Sequence, residues 1–118
     1  MHQLAIVLTL LVAALHVCFL VLEMFLWDRP TGRRIFRTTP EFATASKALA
    51  ANQGLYNGFL AAGLAWSVAL GASGTGVRIF FLVCVVVAGL YGGYTVGRRI
   101  ILVQALPAGL ALAATYLS

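Results

Sequence analysis

Two ionisable side chains able to move protons, His16 and Glu23, stand seven residues apart in one long apolar run. Seven residues is close to two full helical turns, so on a helix both lie along one face, in line with His2 and Thr9. A carboxyl held in an apolar site can act as general acid or base near neutral pH, and a histidine on the same face can assist it. A second concentration, Asn52, Gln53, Tyr56 and Asn57, gathers amide and phenol groups, with Asn52/Tyr56 and Gln53/Asn57 each one turn apart. Tyr91, Tyr94 and Thr95 follow, and then Gln104. Uncharged donors and acceptors of this kind orient a hydroxyl, an epoxide or a carbonyl. With Glu23 as the catalytic acid or base and His16 beside it, isomerisation, hydration or ring opening would fit.

Other chemistries find no support. No His, Cys, Asp or Glu spacing suits zinc, and no serine has a positioned base. The glycine-rich stretches do not follow a strand as a nucleotide-binding fingerprint would. The expectation is therefore no metal and no cofactor. Cys18 and Cys84 both lie in apolar stretches, where a thiol behaves as a small hydrophobe, and no disulfide is assumed.

The elements that carry these residues follow from composition. The chain has 118 residues, of which 62% are hydrophobic and 9% charged, a balance that fits lipid as the solvent rather than water. About 20 apolar residues span a bilayer as a helix, and four segments meet that length. They run over about 3–27, 40–71, 77–97 and 100–117, giving an all-α, integral membrane four-helix bundle with residues 1–118 as a single transmembrane domain. Pro30 and Gly32, amid Asp28, Arg29, Arg33 and Arg34, end the first segment. Thr39-Pro40-Glu41 starts the second, with Thr39 as cap, Pro40 in the first turn and Glu41 favoured by the helix dipole. The first segment is read as a retained helix rather than a signal peptide. It has no Lys or Arg before it, it continues for roughly 24 residues, and it lacks a small-residue cleavage site.

The net charge of +5 could suggest nucleic acid, but the arginines sit at the ends of apolar segments, so no nucleic-acid partner is expected. They orient the chain instead. Arg29, Arg33, Arg34 and Arg37 occupy the first connection, Arg98 and Arg99 the third, while the other side carries only Arg78. Both basic loops are then cytoplasmic, and both chain ends lie on the opposite side of the membrane.

With that topology, the polar groups share one depth. Counted from the cytoplasmic ends, Glu23 is about four residues in, Asn52 to Asn57 about four to nine, Tyr91 and Tyr94 about three to six, and Gln104 about four, at ~1.5 Å per residue. One layer in the cytoplasmic half suggests a shared polar pocket, with His16 deeper, near the midplane. Asn, Gln and Tyr also join membrane helices by hydrogen bonds with no ligand involved, so a purely structural network is a competing reading. Glu23 is the strongest candidate for more than glue, because a central charged side chain costs about 2.5 to 3.5 kcal/mol in a membrane helix; Arg98, His16 or Lys47 could pair with it. Gly54/Gly58, Gly89/Gly93 and Gly93/Gly97, each four apart, read as close helix contacts. Pro107 is expected to kink the last helix, and Trp27 and Trp66 to anchor the interfaces.

Three blocks carry a family resemblance: Leu22-Glu23-Met24-Phe25-Leu26-Trp27, Thr39-Pro40-Glu41-Phe42, and Ala51-Asn52-Gln53-Gly54-Leu55-Tyr56-Asn57-Gly58-Phe59-Leu60-Ala61. Across essentially the whole chain the sequence resembles the small bacterial membrane proteins grouped as domain of unknown function thirteen-oh-four. The resemblance implies a four-helix membrane architecture and a multi-pass place in the bacterial cytoplasmic membrane. It implies no activity, substrate or catalytic residue.

Three functions compete on the residues. The first is a membrane-embedded enzyme or binder for a lipophilic small molecule such as an isoprenoid, quinone or sterol-like lipid, with Asn52, Gln53, Tyr56, Asn57, Tyr91, Tyr94 and Gln104 as ligand-binding groups. The second is a small transporter or channel subunit with Glu23 on the path. The third is a structural or assembly protein. Reaction type, ligand identity, the opening of the pocket to lipid or cytoplasm, and oligomeric state, a homo-oligomer included, stay open.

Overall fold

The computed structural model describes residues 1–118, and the chain is all-α with no β-strand. Five α-helices follow one another: α1 (His2–Met24), α2 (Pro30–Phe36), α3 (Pro40–Ala69), α4 (Thr75–Thr95) and α5 (Leu106–Leu117). The four long segments expected from hydropathy each overlap one of the helices α1, α3, α4 and α5. The short α2 was not expected.

α1 stops at Met24 rather than near Trp27. Leu26 accepts a hydrogen bond from the Arg29 amide in a tight turn, and Arg29 is extended, with Pro30 in the first turn of α2. Proline fits there because its missing N–H would have no helical partner anyway. Gly32 is buried in α2, and a Cβ there would run into the Leu26 carbonyl, so only glycine lets this short helix fold back onto the turn. Arg37 closes α2 in the left-handed region at φ 56°, its N–H donating to the Arg33 carbonyl. α3 begins as the sequence suggests: the Phe42 amide donates to Thr39 Oγ1 at 3.2 Å, and Glu41 sits in the first turn.

Beyond Ala69, Gly71 adopts φ +63°, and Gly71–Gly74 form a 3₁₀ turn that runs into α4 two residues earlier than expected. Ile101–Ala105 form a π turn ahead of α5, in which the Leu106 amide donates to the Ile101 carbonyl. A π turn next to Pro107 has a direct cause: the ring would collide with the carbonyl four residues back in a regular α-helix, and the wider turn relieves that contact.

The chain divides into two compact units. The first comprises Met1–Ala14 and Leu60–Ser118. Its core draws Val12 and Ala13 from α1, Ala61 and Leu64 from α3, Leu82 and Val85 from α4, and Ala108 and Ala111 from α5. The alanines allow close helix approach, and Gly89 continues that logic: a Cβ on it would lie 2.6 Å from the Ala105 backbone nitrogen. The second unit comprises Leu15–Phe59: the end of α1, α2 and the first two-thirds of α3. Here Gly54 and Gly58 face Leu20 and Met24 of α1.

Two helical stretches, His2–Met24 and Gly71–Thr95, are long and apolar enough to cross a membrane, while Ile101–Leu117 is apolar but shorter. α3 is the longest helix, but Glu41, Lys47 and its amide-rich centre dilute its apolar character. The outward faces are also apolar, with Leu10, Leu49, Phe59, Val87 and Leu110 exposed.

Candidate functional site

The second unit brings two of the expected residues into contact. Glu23 lies one residue from the end of α1, and Asn57 in α3 donates from Nδ2 to Glu23 Oε1 at 2.5 Å. Glycine makes this possible. Gly54, one turn before Asn57, lies so close to α1 that a Cβ would stand 3.1 Å from the Glu23 Cβ and 2.7 Å from the Met24 Cγ. The two helices therefore meet at backbone distance, and short side chains bridge them. Asn57 is 5% exposed and Glu23 half-buried, so the carboxyl is both held and reachable. A carboxyl with one oxygen fixed by an amide donor and one face open can hold or pass a proton at a defined position.

His16 is fully buried and sits edge-on to Phe19, ring centroids 5.2 Å apart. It shares the buried face of α1 with Ala5, Thr9 and Val12. Two helical turns separate it from Glu23, about 10 Å along the axis, too far for a direct hydrogen bond between them. Any assistance from His16 would have to pass through a bound molecule. Thr9 is buried, and its hydroxyl donates to the Ala5 carbonyl within α1 at 2.7 Å.

The rest of the expected cluster does not gather with Asn57. Asn52, Gln53 and Tyr56 are exposed on other faces of α3, and Tyr56 packs on Phe59 with centroids 6.0 Å apart. The reason is angular: an (i, i+4) pair shares a face only approximately, and the face of α3 that is buried follows Ala50, Gly54, Asn57, Ala61 and Leu64. In the first unit, Tyr91 and Tyr94 are exposed at 69% and 89%, while Gln104 is partly buried in the π turn.

Two contacts beside Glu23 were not anticipated. Trp27, expected as an interfacial anchor, donates from Nε1 to Ser46 Oγ at 3.0 Å and packs against Phe36, centroids 4.8 Å apart. Lys47, considered as a partner of Glu23, pairs with Asp28 at 3.1 Å instead. The hydrogen bond from Lys47 holds the Asp28 carboxyl below its ordinary value of 3.8. These contacts fasten the turn after α1 to the first part of α3 and so fix the height of Glu23 against Asn57. Their sequence signal was the (i, i+1) neighbourhood of Ser46 and Lys47, opposite the neighbourhood of Trp27 and Asp28, but nothing in the sequence specified the register.

A model of the family described as "Protein of unknown function (DUF1304)" matches residues 10–116. The chain is also 32% identical, over 118 residues, to "Uncharacterized protein YpaA" of Lactococcus lactis subsp. lactis (strain IL1403), covering 98% of this chain and 99% of that one. No solved structure matches the chain.

Proposed function

The chain belongs to the DUF1304 family, and we propose that it is a multi-pass protein of the bacterial cytoplasmic membrane that binds a lipophilic small molecule at a polar site centred on Glu23 and Asn57. The single observation that carries this reading is the hydrogen bond from Asn57 to a half-buried carboxyl between two closely packed helices. A carboxyl in such a setting is a costly fastener if it does nothing else, because an apolar pair would join the helices at less desolvation cost.

Membrane placement is supported by the apolar outward faces and by the segregation of Arg29, Arg33, Arg34, Arg37, Arg98 and Arg99 to two connections. In the proposed topology four long helices span the bilayer and both ends lie opposite the cytoplasm. Glu23 and Asn57 then sit in the cytoplasmic half, within reach of a ligand entering from lipid. Glu23 is the acid or base for an isomerisation or hydration of the bound molecule, and Asn57 holds it in place.

The test is mass spectrometry of small molecules that stay with the protein when it is extracted gently from its own membrane, comparing wild type with Glu23→Gln and Asn57→Ala. A defined lipophilic molecule retained by wild type and lost from Asn57→Ala supports the reading. Retention of nothing specific, with both variants folded, moves the weight to transport through the same carboxyl. Unfolding of both variants favours a structural network, a reading that the direct use of the Asn57 amide on Glu23 also suits.

A further inference from the structure

One charged side chain is buried with a donor left unpaired. Arg78 is 2% exposed, the largest fully buried side chain in the protein, and its Nε has no hydrogen-bond partner. A guanidinium that has left water needs an anion or a full set of acceptors, because an uncompensated buried charge is strongly destabilising. The segments that form its unit, Met1–Ala14 and Leu60–Ser118, contain neither Asp nor Glu. The three acids of the chain are otherwise disposed: Asp28 pairs with Lys47, Glu23 accepts from Asn57, and Glu41 lies exposed in the first turn of α3.

The position of Arg78 sharpens the problem. It is the fourth residue of α4, whose first turn holds no acid and whose start has no side-chain cap. A helix amino end carries partial positive charge. Long side chains in helices lean back toward that end, so the guanidinium is directed to the place where a cation is least welcome and an anion most welcome. No counter-charge comes from the nearby hydroxyl residues Ser67, Ser73 and Thr75, which are uncharged and donate to the carbonyls of Leu64, Leu70 and Ala72.

We propose that Arg78 and the amino end of α4 form a binding site for an oxyanion, the phosphate of a lipid headgroup or a free phosphate. This site is separate from the Glu23–Asn57 site and does not depend on its function. An arginine fork offers paired N–H donors suited to phosphate oxygens, and the helix end supplies a matching field.

The full chain in nanodiscs of phosphatidylcholine, with and without phosphatidylglycerol, and in neutral detergent with and without inorganic phosphate, tests this by thermal unfolding and by native mass spectrometry. The expected result is a raised unfolding midpoint and retention of one phosphatidylglycerol per chain, with about a tenfold loss of that retention in Arg78→Gln. A midpoint raised by inorganic phosphate in detergent to the same extent assigns a free oxyanion; a response to phosphatidylglycerol alone assigns the lipid. Because Arg78→Gln may be read only if it folds, a second variant, Arg34→Gln/Arg37→Gln, removes exposed arginines elsewhere. Retention that survives this second variant supports the Arg78 site even where Arg78→Gln does not fold, and retention lost with it overturns the proposal. No response of wild type to either anion, or an equal response in wild type and Arg78→Gln, also overturns it.

Discussion

Gly54 stands against Glu23 so closely that a Cβ on residue 54 would lie 3.1 Å from the Glu23 Cβ, and this approach lets the Asn57 amide, one turn along α3, reach the Glu23 carboxyl. The nearest obstacle to a larger residue is the Met24 side chain at 2.7 Å, with the Leu20 carbonyl oxygen at 3.2 Å behind it. Met24 can swing aside for one methyl group, but the backbone at Leu20 cannot. Gly54→Ala is therefore expected to cost less than about 1 kcal/mol, and Gly54→Val about 1 to 3 kcal/mol by overpacking. The check is reversible unfolding in mixed micelles. Gly54→Val should also lower ligand retention at Glu23, whereas equal stability of the two variants would show that the helices are not held at backbone distance.

Glu23→Gln separates chemistry from architecture. Glutamine keeps the oxygen that accepts from Asn57 Nδ2, so the contact between α1 and α3 survives and stability should change by no more than about 1 kcal/mol. Asn57→Ala leaves the carboxyl oxygen without its donor in a half-buried place and should cost about 1 to 2 kcal/mol. Measured side by side, a larger loss from Glu23→Gln than from Asn57→Ala would mean that the charge of Glu23 itself holds the fold.

How much of this was visible beforehand depended on whether a feature is local. The cap of α3 at Thr39 and the family block around Asn57 are local, and they were legible. The end of α1 was misplaced by three residues because hydropathy continues through Phe25, Leu26 and Trp27, while the turn there is imposed by the extended Arg29 and by Pro30. α2 was missed because its two arginines, with Arg29 and Arg37 flanking them, read as a loop, although Gly32 allows it to pack. The pairing of Asn57 rather than Asn52 or Gln53 with Glu23 is a matter of register between α1 and α3, which a single sequence does not state. The burial of Arg78 was hidden for the same reason: in the sequence it is merely the charge beside a loop.

The Asp28–Lys47 pair gives a pH prediction. Asp28 is held below its ordinary value of 3.8 by Lys47, so its folded value is the depressed one. The pair then contributes at pH above about 3.8 and is lost as pH falls through the folded value. Trp27, adjacent to Asp28 and hydrogen-bonded to Ser46, should report the release. In a Trp66→Phe/Glu23→Gln background, which removes the other carboxyl one turn away, Trp27 fluorescence is expected to be constant from pH 8 to about 5 and to change only in stronger acid, with a smaller change at high salt. Lys47→Met should move that change toward ordinary carboxylate titration, near 3.8. A titration unaltered by Lys47→Met would place the responding group elsewhere.

Three glycines, two in the first unit and Gly54 in the second, allow close helix packing to be weighed against the intrinsic cost of glycine in a helix. A Cβ on Gly89 would lie 2.6 Å from the Ala105 nitrogen and 2.9 Å from its Cα, both backbone atoms of the segment entering α5, so nothing there can swing aside. Gly109, inside α5, has nothing within 4 Å of a Cβ. Gly54 lies between these cases, with a flexible methionine in the way. Alanine gains roughly 0.5 to 1 kcal/mol over glycine in a helix interior wherever it fits. Gly109→Ala should thus stabilise by about that amount, and Gly89→Ala should destabilise by about 1 to 3 kcal/mol, because α4 must move away from the π turn and open the core at Leu82, Val85 and Ala108. The order expected in unfolding experiments is Gly109→Ala most stable, Gly54→Ala near wild type and Gly89→Ala least. If Gly89→Ala were stabilising like Gly109→Ala, α4 and the π turn would not be in backbone contact, and the position of Gln104 in that turn would have to be revised with it.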